Sequence, residues 1–298
     1  MNRTLKNLVL KDLCPDGIWQ LTDVMKSVLR YHISRLPNRK VTEDETRYPQ
    51  SPAGMRAFLV KFFVRHYLQT QNSLLDYMIS QDFLETVRDR HLRILDIGSG
   101  PAVTSLAITD MLTCVLRHLR NEGDWSGDKV INVDYTLNDI SGFCLGTGQR
   151  MLTDYFRICA RQSNQITPGQ ILRLEKAFPK NMNQLRRIKC KLGSYDIATL
   201  SYVVSPLNEN TSFKALVNGF LNIESLLSRN GRILILQDKF QPAIMRQISR
   251  ALGISRQKEE STQEVYPKRN TNETYTYSYY CCLYSPTKKG LVRQNSVA

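Results

Sequence analysis

Histidine is scarce in this 298-residue chain, with four in all (His32, His66, His91, His118), and tryptophan scarcer still, with two. None of the histidines stands in a paired metal-ligand spacing with another, and the seven cysteines (14, 114, 144, 159, 190, 281, 282) contain no C-x-x-C. A zinc site is therefore not indicated, no metal is expected, and the cysteines read as reduced, packed thiols. Long hydrophobic runs are also absent. Ile233 to Leu236 is strand-sized, far below the roughly 18 to 20 apolar residues that span a bilayer. Near the start, Leu8-Val9-Leu10 is cut by Lys11 and Asp12, too short for a secretory core. A cytoplasmic protein without a membrane partner is the expectation.

Acidic residues fall short too: 27 Asp and Glu stand against 41 Lys and Arg, a net charge of +14. The excess lies outside residues 91–160, which are mildly acidic, and is densest over 161–191, in Lys180, Arg186, Arg187, Lys189 and Lys191. A polyanionic partner, RNA above all, fits this distribution, against the alternative of a solvated basic face. With 42% hydrophobic residues the chain is neither disordered nor short of core material.

The first 90 residues read as helical. Asp16 caps a predicted helix carrying Ile18, Leu21, Met25, Val28, Leu29 and Ile33 at three- and four-residue steps. Residues 37–51 read as a loop. Ser51-Pro52 then opens a second helix through Met55, Phe58, Leu59, Phe62, Phe63 and Tyr67, and a third stretch covers Leu74 to Arg90. From residue 91 the pattern changes to short apolar runs separated by helices, the alternation of a largely parallel sheet. Predicted strands are Arg93–Ile97, one ending near Asn138, Ile171–Leu174, Asp196–Tyr202, Arg232–Gln237 and a tyrosine-rich one near Tyr275–Leu283; predicted helices are Thr104–Leu119, Phe143–Arg161 and Phe213–Leu227. Residues 287–298 read as a frayed tail. The expected organisation is a helical region 1–90 for substrate recognition or as a lid, an α/β domain 91–286, and that tail.

The most informative run is Ile94-Leu95-Asp96-Ile97-Gly98-Ser99-Gly100-Pro101-Ala102, a buried strand running into a glycine bend and a helix. Glycines there permit unusual φ angles and close backbone approach to a ligand. A dinucleotide loop would carry a third glycine where Val103 stands, and Asp96 would repel a phosphate but can pair with an ammonium. Gly146-Thr147-Gly148 also offers a G-x-G, but no strand leads into it, and it reads as a weak or broken helix.

The run resembles motif I of class I S-adenosylmethionine-dependent methyltransferases. That resemblance implies a Rossmann-like, mostly parallel sheet with an antiparallel strand near the C-terminus. It implies S-adenosyl-L-methionine as cofactor, its amino-acid part held by Asp96 and the backbone of Gly98, Ser99, Gly100 and Pro101. Asp139-Ile140-Ser141 is similar to the acid after the second strand that accepts the ribose hydroxyls, with Asp134 as the rival. Asp196 to Val204 is similar to the fourth strand, which makes Ser201 and Tyr202 pocket candidates, and Asn230-Gly231 is similar to the helix stop before the fifth. Gly98-Ser99-Gly100-Pro101 with Ser201-Tyr202-Val203-Val204 further resembles ribosomal small-subunit methyltransferase-like proteins, implying rRNA or other structured RNA as acceptor. Two departures are Ala102 in place of a glycine and the lack of a metal-holding cysteine cluster. No Asn or Asp precedes Pro-Pro-aromatic after the fourth strand, and Ser205-Pro206 has no thiol for pyrimidine C5 chemistry. No catalytic residue is assigned. The alternatives are a SAM-binding RNA or ribosome-assembly factor without transfer activity, and a small-molecule methyltransferase.

Overall fold

The computed structural model describes residues 3–88, 91–125, 129–161, 165–203, 212–238, 247, 256–267 and 274–285. The N-terminal region is helical: α1 (Arg3–Leu13), α2 (Asp23–Ser34), α3 (Glu43–Arg47), α4 (Pro52–Phe58), a π-helical turn Leu59–Phe63, α5 (Val64–Met78) and α6 (Gln81–Arg88). Then strands and helices alternate: β1 (His91–Ile97), α7 (Val103–Asn121), β2 (Ile131–Asp139), α8 (Gly142–Cys159), β3 (Ile166–Glu175), α9 (Met182–Leu192), β4 (Tyr195–Ser201), α10 (Phe213–Glu224), β5 (Leu227–Asp238), β6 (Arg256–Pro267) and β7 (Thr274–Tyr284).

Seven strands form one sheet in the order β3-β2-β1-β4-β5-β7-β6. The first five pair in parallel, and β7 runs antiparallel to both β5 and β6. This is the expected fold class, with one strand more than the sequence suggested: β6 lacks the short apolar run by which a strand is recognised. Alternation along the strands builds two cores. Leu92, Ile94, Val133, Tyr135, Leu137, Leu234 and Leu236 face the N-terminal helices, α7 and α8. Leu95, Ile97, Ala198, Leu200, Ile233 and Ile235 face α9 and α10.

Several boundaries differ from expectation for local reasons. Asp16 caps nothing: it has φ +54° inside a 3-10 turn, and α2 begins later, where the Thr22 hydroxyl accepts from Met25 N at 3.2 Å. The loop 37–51 contains α3, capped by Thr42. Ser51 does cap α4, accepting from Gly54 N, but the run to Tyr67 is interrupted by the π turn. The stretch from Leu74 is two helices broken at Ile79-Ser80. α9 was hidden in the basic segment. Asn230-Gly231 lie inside the irregular start of β5, where the register with β4 shifts, and not at the end of α10. Val204, Ser205-Pro206 and the tail 287–298 lie outside the described residues.

Candidate functional site

In an open α/β sheet, ligands bind outside the carboxyl ends of the parallel strands. At the end of β1 the chain turns through three left-handed residues, Gly98 (φ +65°), Gly100 (φ +52°) and Ala102 (φ +59°), before α7 begins. Ser99 N donates to Asn138 O on β2 at 3.0 Å, and Ala102 N donates back to Ser99 O at 2.8 Å. A Cβ on Gly100 would meet nothing within 4 Å, so space lies over its backbone; a Cβ on Gly98 would strike Val203. Among the described residues the buried Ser99 hydroxyl has no hydrogen-bond partner.

Asp96 lies beneath this bend, 1% exposed. Its Oδ2 accepts from Ser105 N (3.2 Å) and Ser105 Oγ (2.7 Å), and its Oδ1 from Thr199 Oγ1 (2.7 Å). The carboxylate thus ties β1 to the start of α7 and to β4, and the protein's own donors occupy both oxygens. Burial pushes its pKa up to about 6, against the pull of those donors.

Asp139 is differently placed. As the last residue of β2 it stands level with the bend: Oδ2 accepts from Gly100 N and Oδ1 from Ser141 N, each at 2.9 Å. Burial raises its pKa while the N–H groups of Ser141 and Gly100 oppose the shift. Beside it Ile140 is 68% exposed, a large apolar side chain held out at the rim. Asp134 is five residues earlier, about 16 Å along the strand at ~3.3 Å per residue. There it bonds His91 Nε2 at 2.5 Å and Gln170 N at 2.7 Å. Of the two candidate acids, only Asp139 meets the glycine bend.

The Gly146-Thr147-Gly148 run forms no broken helix, since α8 is continuous from Gly142 to Cys159. Gly148 instead lets α8 lie against the bend: a Cβ there would stand 2.9 Å from Ala102 Cβ, Ala102 N and the carbonyl carbon of Pro101. Pro101 and Ala102 are accordingly buried and shape the bend from behind.

At the end of β4, Ser201 Oγ accepts from Thr104 Oγ1 at 2.9 Å. Tyr202 follows with φ +61°, a conformation uncommon for a bulky residue and found where surroundings over-determine it. Its ring stacks on His66 of α5, centroids 3.8 Å apart and planes 16° from parallel, and its hydroxyl donates to Gln69 Oε1. His66 stacks in turn on Phe62 at 5.8 Å. Among the described residues buried Gln69 Nε2 has no hydrogen-bond partner. Burial, with Arg65 alongside, holds the His66 imidazole well below its ordinary pKa, so it is neutral near pH 7. The sequence marks Tyr202 as a pocket candidate but not its contact with His66 or with Gln69, because nothing local joins residues 66 and 202. Phe63 and Tyr67 are fully buried core, whereas Phe62 is partly exposed, and His32 is held by Asp154 at 2.9 Å.

The basic segment is divided. Arg186 donates to Asn222 and Asn183, and Lys189 Nζ donates to Ser225 O at 2.5 Å, closing the C-terminal end of α10. Lys180, Arg187 and Lys191 are exposed.

These features define an α/β chain with a left-handed bend after the first strand, a carboxylate locked against it from the second, and an aromatic stack closing the fourth. No protein-family model matches the chain, and no curated protein does. Solved structures with a similar chain trace include a precorrin-6y C5,15-methyltransferase of Geobacter metallireducens (11% identity, 70% of this chain and 90% of that one, TM-score 0.38). Others are an rRNA methylase of Streptococcus thermophilus (13%, 69% and 93%, 0.35) and a TehB-like SAM-dependent methyltransferase of Corynebacterium glutamicum (11%, 73% and 88%, 0.34). Among the described residues no helix is long and apolar enough to cross a membrane.

Proposed function

We propose that this chain is a methyltransferase that uses S-adenosyl-L-methionine and acts on structured RNA. The observation that carries the cofactor assignment is Asp139. Its two oxygens accept from Gly100 N and Ser141 N, and the carboxylate keeps acceptor capacity facing the bend for adjacent ribose hydroxyls. Ile140 offers an apolar face to a purine beside that sugar. The Ser99 hydroxyl, without a hydrogen-bond partner among the described residues, and the open backbone at Gly100 suit the polar amino-acid part. Asp96 serves from below, by holding Ser105 and Thr199 and so the shape of the bend, while Gly98, Pro101 and Ser201 complete it.

When bound, the cofactor supplies a methyl group already activated on a sulfonium, so the protein has mainly to orient an acceptor and exclude water. Tyr202, pinned by Gln69 and His66, covers the end of β4 and does both. RNA as acceptor rests on the charge of +14, on exposed Lys180, Arg187 and Lys191, and on Phe62 flanked by Lys61 (5.3 Å) and Arg65 (5.4 Å) and joined to Tyr202 through His66. An enclosed small-molecule acceptor is the second reading, favoured by the helices that close over Tyr202.

Calorimetry with S-adenosylhomocysteine should show binding that Asp139→Ala weakens at least tenfold and Asp134→Ala leaves in place. No binding, or binding of a dinucleotide instead, refutes the cofactor assignment. Labelled-methyl transfer to total RNA, falling steeply with added salt, tests the acceptor. Cofactor binding without transfer to RNA would refute the RNA assignment and leave an inactive binder or a small-molecule enzyme.

A further inference from the structure

At the far end of α7 from the glycine bend, three donor types from two helices converge. Cys114 and His118 are one turn apart on α7, so their side chains share a face. Asp12, in the last turn of α1, reaches the same point. The three ligand atoms lie within 4.8 Å of one another. Asp12 Oδ2 takes His118 Nε2 at 2.5 Å, Arg117 Nη2 at 2.6 Å and Cys114 Sγ at 3.3 Å. A carboxylate oxygen has two lone pairs, so three donors on this one atom exceed what it can bond well. A cation at the centre of the triad would replace two of those donors by direct ligation.

We propose that Asp12, Cys114 and His118 bind a divalent cation of zinc type, with water in the fourth position. A thiolate, an imidazole and a carboxylate together suit zinc, and unlike the hard oxygen sites of magnesium or calcium they include a soft ligand. On binding, the Cys114 thiol gives its proton to solvent as the sulfur–metal bond forms, so the two anionic ligands balance the dication. Arg117, half exposed, turns outward or keeps to the other carboxylate oxygen. Cys114 and His118 lie 11 and 15 residues along α7 from Val103, about 16 to 22 Å at ~1.5 Å per residue. The cation therefore clamps α1 to α7 and takes no part at the bend. The expectation from sequence of no metal missed this site because Asp12 is about a hundred residues from its partners and Cys-x-x-x-His was not counted as a pair.

Metal-stripped full-length protein titrated with cobalt(II) should take up one equivalent and develop tetrahedral d–d bands together with a thiolate-to-cobalt charge-transfer band. Zinc should displace the cobalt and raise the melting temperature by several degrees. Cys114→Ser should abolish the charge-transfer band, Asp12→Asn should weaken binding at least tenfold, and Cys190→Ser, at an exposed cysteine, should change neither. Should Cys114→Ser fail to fold, as judged by circular dichroism, Asp12→Asn decides. An absent charge-transfer band in the parent protein, one that survives Cys114→Ser, or tight binding by Asp12→Asn overturns the proposal.

Discussion

Two glycines two residues apart in α8 should respond to the same substitution differently. In an exposed helix interior, Gly→Ala stabilises by about 1 kcal/mol through lower backbone entropy in the unfolded chain. Gly146→Ala should realise that gain. Its new methyl would approach only the ends of two flexible side chains, Arg173 Nη1 at 3.5 Å and Arg150 Nη1 at 3.8 Å. Gly148→Ala meets main chain instead, at 2.9 Å from Ala102 N and from the Pro101 carbonyl carbon, and Ala102 Cβ at the same distance. Ordinary contact needs roughly 0.7 Å more, because carbon atoms pack at about 3.5 to 4.0 Å, so either α8 or the bend must shift. Overpacking of this kind costs about 1 to 3 kcal/mol. Set against the helical gain, Gly148→Ala should be neutral to about 2 kcal/mol destabilised, and its melting temperature should fall below that of Gly146→Ala by about 2 to 6 °C at roughly 2 °C per kcal/mol.

The same shift reaches function. The bend that Gly148 supports carries Gly100 N, which bonds Asp139. Gly148→Ala should therefore weaken S-adenosylhomocysteine binding several-fold, while Gly146→Ala leaves it unchanged. Urea unfolding and calorimetry on the two variants give both readings. Equal stabilisation of the two, with equal nucleoside affinity, would show that α8 does not rest on the bend and that the close approach is unimportant.

Three further outcomes follow from the same geometry. Ala102 has φ +59°, a conformation costing a residue with a Cβ about 1 to 2 kcal/mol, so Ala102→Gly should raise stability by about 1 kcal/mol in urea unfolding. Asp96 has its folded pKa raised to about 6 from 3.8, which makes its contribution fully present below pH 3.8 and lost as pH rises through 6; across that window wild type should lose about 3 kcal/mol relative to Asp96→Asn, and parallel stability profiles for the two would sink the assignment. Asp110 is fully buried and accepts from Tyr155 OH (2.8 Å), Thr22 Oγ1 (3.0 Å) and Tyr67 OH; Asp110→Ala orphans these donors and should cost about 3 kcal/mol or more, measured as a lower urea midpoint.

What was legible in the sequence is what is local in the chain. Strand, glycine bend and helix are consecutive from Ile94 to Thr104, and Asp139 closes its strand, so the residue types alone point to the rim. The direction of a side chain is a different matter. Asp96 and Asp139 both end or nearly end a strand, yet one turns under the bend and the other meets it. The difference lies in Ser105 and Thr199, hydroxyl donors 9 and 103 residues from Asp96. The boundary drawn near residue 90 illustrates the same limit. Periodicity marks 1–90 as helical but says nothing of what the helices cover. In the structure they share a core with the sheet, Leu5, Val9, Leu68 and Leu75 packing in one cluster with Leu106, Val115 and Tyr279. Polar contacts reinforce this: Asp110 of α7 accepts from both α5 and Thr22, and Asn72 of α5 donates to the Tyr279 hydroxyl of β7 at 3.2 Å. A lid that opened as a body would have to break that core and leave Asp110 with Tyr155 alone. Opening for an acceptor would therefore be confined to the rim, where the Tyr202 ring stacked on His66 and its hydroxyl bond to Gln69 can be disturbed without breaking that core.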